Sequence, residues 1–110
     1  MKNKLFFLDY ETLQKSYEEI MRIANAEDLN NNNRKAIALY TLAIEKMNEI
    51  DKHNELAYFL RGKLNLKSKN YKSAIYDLGI YIGDCLPCTD HIWDAYFLRC
   101  IANLLLKNDI

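Results

Sequence analysis

Apolar residues along this chain recur at helical rather than strand spacing. Leu13, Tyr17, Ile20 and Ala24 lie three or four apart and predict a helix from Tyr10 to Leu29, with Asp9 as its N-cap. The run Asn30-Asn31-Asn32-Asn33 ends it, because asparagine tolerates left-handed and turn conformations. Asn33 then caps a second helix, Arg34 to Asp51, in which Ile37, Tyr40, Leu42, Ala43, Ile44 and Met47 form a broad apolar stripe. After a turn at Lys52-His53-Asn54, a third helix covers Glu55 to Ser68. Lys69-Asn70 turns the chain into a fourth, Tyr71 to Asp84. Pro87 forbids continuation, and Asp90 caps a fifth helix that reaches Lys107. The pattern is all-α: about five helices in antiparallel hairpins. Gly79 and Gly83, four apart inside the fourth helix, predict a close approach of the fifth.

The hydrophobic pattern also repeats. Ala57-Tyr58-Phe59-Leu60-Arg61 returns as Ala95-Tyr96-Phe97-Leu98-Arg99, 38 residues later. At the same offset Asn65 matches Asn103, Lys69-Asn70 matches Lys107-Asn108, and Ala36-Ile37 matches Ala74-Ile75. A period in this range is the mark of stacked supersecondary units, each unable to bury its apolar face alone.

The second unit resembles the tetratricopeptide repeat, a helix–turn–helix. Tyr58 stands at the family's aromatic position, Gly62 at its glycine, Ala74 at its alanine, Leu78 at its large apolar position and Pro87 near its closing proline. Tyr71 stands where an aromatic opens the second helix of such units. The small residues Ala24, Gly62 and Cys100 fall where the two helices of a unit cross. Arg61 and Arg99 replace a leucine of the pattern, and Asn65 and Asn103 replace a tyrosine. The period of 38 is about one helical turn longer than the family's. The resemblance implies one tetratricopeptide-like array of units about 17–54, 55–92 and 93–110, the last incomplete, after an N-terminal segment 1–16. It also implies a non-enzymatic adaptor or scaffold that binds a protein or peptide on the concave face of its first helices. On this chain that face corresponds to Met21, Asn25, Phe59, Lys63, Lys67, Phe97 and Ile101. Capture of chaperone C-terminal carboxylates, known in one branch of the family, does not fit: its clamp positions hold Met21, Asn25, Leu60, Asp94 and Leu98, of which only Asn25 agrees.

Composition narrows the partners. Formal net charge is zero, which points to neither nucleic acid nor an anionic membrane. Charge is uneven, however: residues 30–72 carry nine basic and four acidic side chains, and residues 73–110 two and five. Lys63 and Lys67, four apart on one helix face with no acid beside them, point to an acidic partner. Leu5-Phe6-Phe7-Leu8 is too short for a signal-peptide core, no run is long enough to span a membrane, and three cysteines do not make a disulfide framework; a cytoplasmic location is expected.

Little chemistry is written in the chain. Cys85-Leu86-Pro87-Cys88 has dithiol spacing but follows a helix C-terminus, the wrong end to stabilise a thiolate. Zinc could draw on Cys85, Cys88, His91 and Cys100, yet Cys100 aligns with the packing positions Gly62 and Ala24 and Cys85 with Met47. His53 and His91 sit in aligned loops and are expected to be solvated. No metal, cofactor or catalytic set is assigned. The metal or redox alternative ranks last. A further expectation concerns the last helix: against the third, Lys63 becomes Ile101, Lys67 becomes Leu105 and Ser68 becomes Leu106. With Ile92, Trp93 and Leu98 these make it apolar nearly all round, and predict a structural homodimer through it, or cover by Leu5-Phe6-Phe7.

Overall fold

The computed structural model describes residues 8–50, 55–84 and 91–108. Among them are six α-helices and no strand: α1 (Tyr10–Leu13), α2 (Tyr17–Leu29), α3 (Asn33–Glu49), α4 (Glu55–Lys67), α5 (Tyr71–Asp84) and α6 (Ile92–Asn108). The chain divides into two compact units, Met1–Ala57 and Tyr58–Ile110, each with its own helix packing.

In the first unit α2 packs on α3. Ile20 and Ala24 of α2 meet a dense set from α3, with Ala36, Leu39, Tyr40 and Ala43 fully buried. The expected single helix Tyr10–Leu29 is instead two. Asp9 does cap the first turn, accepting from the Thr12 N–H at 2.8 Å, but the Ser16 hydroxyl accepts from the Glu19 N–H at 3.2 Å and starts α2 anew. The signal was the capping-box spacing Ser16-x-x-Glu19. Similarly α3 is capped by Asn32 rather than Asn33, and the Asn32 side chain does not close the cap: its amide donates to Glu27 Oε1 at 2.6 Å.

The 38-residue repeat holds at the level of single hydrogen bonds. Asn31 and Lys69 are the non-glycine residues with positive φ, 63° and 68°, among the described residues. Each ends its helix with the same pair of backbone bonds: Asn31 N to Asp28 O and Asn32 N to Glu27 O, then Lys69 N to Leu66 O and Asn70 N to Asn65 O. This is the Schellman closure, which satisfies carbonyls left over at a helix end. The next helix starts alike, Ala36 N on Asn32 O and Ala74 N on Asn70 O. Even the reach of the capping side chain repeats, Asn32 to Glu27 and Asn70 to Asn65.

The second unit is built on Phe59, Leu78, Tyr81 and Ala95, with Tyr58, Leu60, Ile82, Ile92 and Leu98 packed around them. Gly62 is the crossing point of α4 and α5. A Cβ there would stand 2.9 Å from Leu78 Cγ, so only glycine allows the approach. Gly79 and Gly83 do not play that part for α6. A Cβ on Gly79 would meet only Arg99 Nη1 at 4.0 Å, and one on Gly83 nothing within 4 Å. The packing of α5 on α6 is carried by larger side chains instead.

Candidate functional site

The expected binding positions separate by burial. Met21 and Phe59 are buried and serve as core. Asn25 is exposed, but its Oδ1 accepts from the Tyr40 hydroxyl at 2.8 Å and so fastens α2 to α3. Burial and the Asp28 carboxylate beside it push the Tyr40 phenol well above its ordinary pKa. Ile101 is half-buried, while Lys63, Lys67 and Phe97 are exposed.

Three of these residues come together. Phe59 and Lys63 of α4 and Phe97 of α6 line a hollow of about 210 Å³, completed by Asp94 and Leu98. Phe59 forms its floor. Its ring packs on Tyr81, centroids 5.1 Å apart, and on His91, stacked at 4.7 Å and 18°. His91 is thus a packing residue, not the solvated loop histidine its position predicts. The Lys63 ammonium lies 5.6 Å from the Phe59 ring centroid, a cation–π contact, and among the described residues it has no carboxylate partner. Phe97 stands at the rim with 66% of its surface in solvent. The hollow therefore offers an aromatic floor, an apolar rim and one cation, with Asp94 as the opposing charge. Asp94 was legible only as a departure from the repeat, since it replaces Leu56 at the 38-residue offset.

The other expected surface is α6. Ile92 and Leu98 pack against the core and Ile101 and Leu106 are half-buried. Trp93, Phe97 and Leu104 are open, at 78%, 66% and 57% exposure, with Leu105 exposed to a lesser degree. Cys100 is not buried as its alignment with Gly62 predicts. It is exposed, because among the described residues no helix lies across that side of α6. Among the described residues no group of three or more metal-ligating side chains assembles, and no helix is long and apolar enough to cross a membrane. Cys85, Pro87, Cys88 and Asp90, with His53 and Leu5-Phe6-Phe7, lie outside the described residues.

No family model, curated protein or solved structure matches the chain.

Proposed function

We propose that this chain is a tetratricopeptide-like, non-enzymatic module that binds a protein or peptide through the hollow between α4 and α6. The observation that supports this is the exposed Phe97 beside the Lys63 ammonium over an aromatic floor. Such a combination takes an extended or helical segment with a large apolar side chain next to an acidic one. Lys67, on the same face of α4, lengthens the basic edge. The test is selection from a random peptide library on the intact chain, with Phe97→Ser and Lys63→Glu variants as counter-screens. Enrichment of acidic–apolar motifs that both variants lose, with binding that weakens as salt is added, is the expected result. Peptides indifferent to both substitutions would overturn it.

A second reading is a structural subunit that pairs through α6 in a homodimer. What favours it is the row Trp93, Phe97 and Leu104, spaced to lie along one side of the helix and largely open to solvent.

A further inference from the structure

The shallow concavity on α6 formed by Tyr96, Arg99, Cys100, Asn103, Leu104 and Lys107 is a second copy of a socket that is filled elsewhere in the same unit. Subtracting 38 gives Tyr58, Arg61, Gly62, Asn65, Leu66 and Lys69, the face of α4 that receives α5. There, Arg61 Nε and Nη2 donate to Asp77 at 2.9 and 2.7 Å, Asn65 Nδ2 donates to the same carboxylate at 3.0 Å, and Leu78 sits on Gly62. The α6 copy, open among the described residues, is preset in the same way. Arg61 lies 5.5 Å over the Tyr58 ring and Arg99 lies 5.5 Å over the Tyr96 ring. Asn103, without a carboxylate, turns its amide to the Arg99 carbonyl at 3.1 Å. Among the described residues Arg99 has no acidic partner.

We infer that this face docks an amphipathic helix of a partner polypeptide that presents an aspartate followed by a small apolar residue. The filled socket identifies the occupant by charge and shape. An arginine fork with an asparagine amide beside it selects a carboxylate, and the ladder of small and apolar positions around it selects a helix face. The corresponding places on α2 hold Ile23 and Glu27, so the polar arrangement belongs to α4 and α6 and is not a property of every repeat. Cys100 sets the size of the next residue. A bare Cβ at Gly62 would already crowd Leu78, so the larger Cys100 side chain excludes leucine there and admits alanine. A second copy of this chain cannot supply α5 as the occupant, because its Asp77 is buried on its own Arg61. The inference shares with the α4–α6 hollow only the idea of a polypeptide partner. Arg99 lies outside that hollow and Phe97 outside this face, so the two can fail separately.

The probe is a labelled peptide of residues 71–84, helix-stabilised by a staple between the exposed positions 72 and 76, in its native form and as Leu78→Ala. Anisotropy titration of the intact chain should show saturable binding of the Leu78→Ala peptide. Arg99→Ala, or Asp77→Asn in the peptide, should weaken it at least tenfold, and both together no further. Cys100→Gly should restore tight binding of the native peptide by recreating the α4 socket. Circular dichroism of each variant checks that the helices persist, and the Cys100→Gly gain cannot arise from misfolding. No saturable binding, or binding indifferent to Arg99, overturns the inference. A native dimer that Arg99→Ala converts to monomer would assign the face to a second copy and overturn it as well.

Discussion

Arg61 and Asp77 form a two-pronged ion pair in which the carboxylate is only 1% exposed. Their counterparts 38 residues earlier are Ile23 and Leu39, so the positions that hold a charge pair on α4 and α5 hold apolar residues on α2 and α3. A buried pair is costly to break but not costly to replace, since removal of one partner strands a charge that has already lost its water. Arg61→Ala should therefore lower stability by about 3–5 kcal/mol. The buried Asn65 amide donates to the same carboxylate, so the whole network must go together: the triple change Arg61→Ile, Asn65→Leu and Asp77→Leu should be neutral or stabilising. Urea unfolding of the variants decides it, and a triple variant as weak as the single would show that the network contributes more than its desolvation cost.

The three glycines should part company when replaced by alanine. Each gains helix propensity worth about 0.5–1 kcal/mol. At Gly83 nothing opposes that gain, and at Gly79 only an ordinary contact with Arg99 does, so both variants should melt higher. At Gly62 the new methyl meets Leu78 Cγ, Leu78 Cδ2 and Asp77 Cβ within 2.9–3.2 Å. Asp77 is fixed by its ion pair and cannot yield. Overpacking costs roughly 1–3 kcal/mol, enough to outweigh the propensity gain. Thermal unfolding should order the variants Gly83→Ala and Gly79→Ala above native, and Gly62→Ala below it.

The sequence carried much of this fold but little of its surface. Helical spacing and the 38-residue echo located α3 to α6 to within a residue or two, because both follow directly from which positions are apolar. The echo even reaches the left-handed turn residues, although Lys69 occupies one of them in place of the asparagine that marks the other. What escaped was whatever depends on a neighbour. Gly62, Gly79 and Gly83 look equivalent along the chain, and only the placement of α5 makes the first indispensable. Phe59 and Phe97 are the same residue at the same repeat position, yet one is floor and the other rim. Cys100 is small for a contact that, among the described residues, nothing makes.

Stability should fall at both ends of the pH scale for separable reasons. The side-chain amide of Asn32, assisted by Lys35, holds the Glu27 carboxyl below its ordinary value, and hydrogen bonds from Thr12 do the same for Asp9. Depressed carboxyls stabilise the fold above their unfolded pKa, near 4.5 and 3.8, and that contribution is lost as pH falls through the lower folded values. Glu27→Gln should flatten part of the acid limb. At the other end, the raised Tyr40 phenol favours the folded state only while it stays neutral. Its contribution is complete below the unfolded value near 10 and is lost as pH rises above it. Tyr40→Phe should remove that alkaline loss, at a cost of about 0.5–1.5 kcal/mol at neutral pH from the hydrogen bond to Asn25. Unfolding midpoints between pH 3 and 11 for native, Glu27→Gln and Tyr40→Phe chains test both limbs. An alkaline limb unchanged in Tyr40→Phe would assign it to other groups.

The open apolar row on α6 sets the last expectation, which is self-association. Trp93, Phe97 and Leu104 each gain roughly 1.5–3 kcal/mol on full burial. Association itself costs on the order of 4–15 kcal/mol. In a two-fold pair both copies bury the row, so gain and cost are of similar size and the dimer should form at high protein concentration and dissociate on dilution. Because Ile92 and Leu98 are already packed in the core, substitutions there would damage the fold and report nothing about pairing. Trp93 and Leu104 are exposed, so Trp93→Glu with Leu104→Lys should leave the unfolding midpoint nearly unchanged. Light scattering across a concentration series should show the native chain shifting from monomer towards dimer, and the double variant remaining monomeric throughout. A native chain that stays monomeric at the highest concentrations would mean that this row serves a different protein, or that residues outside those described here cover it.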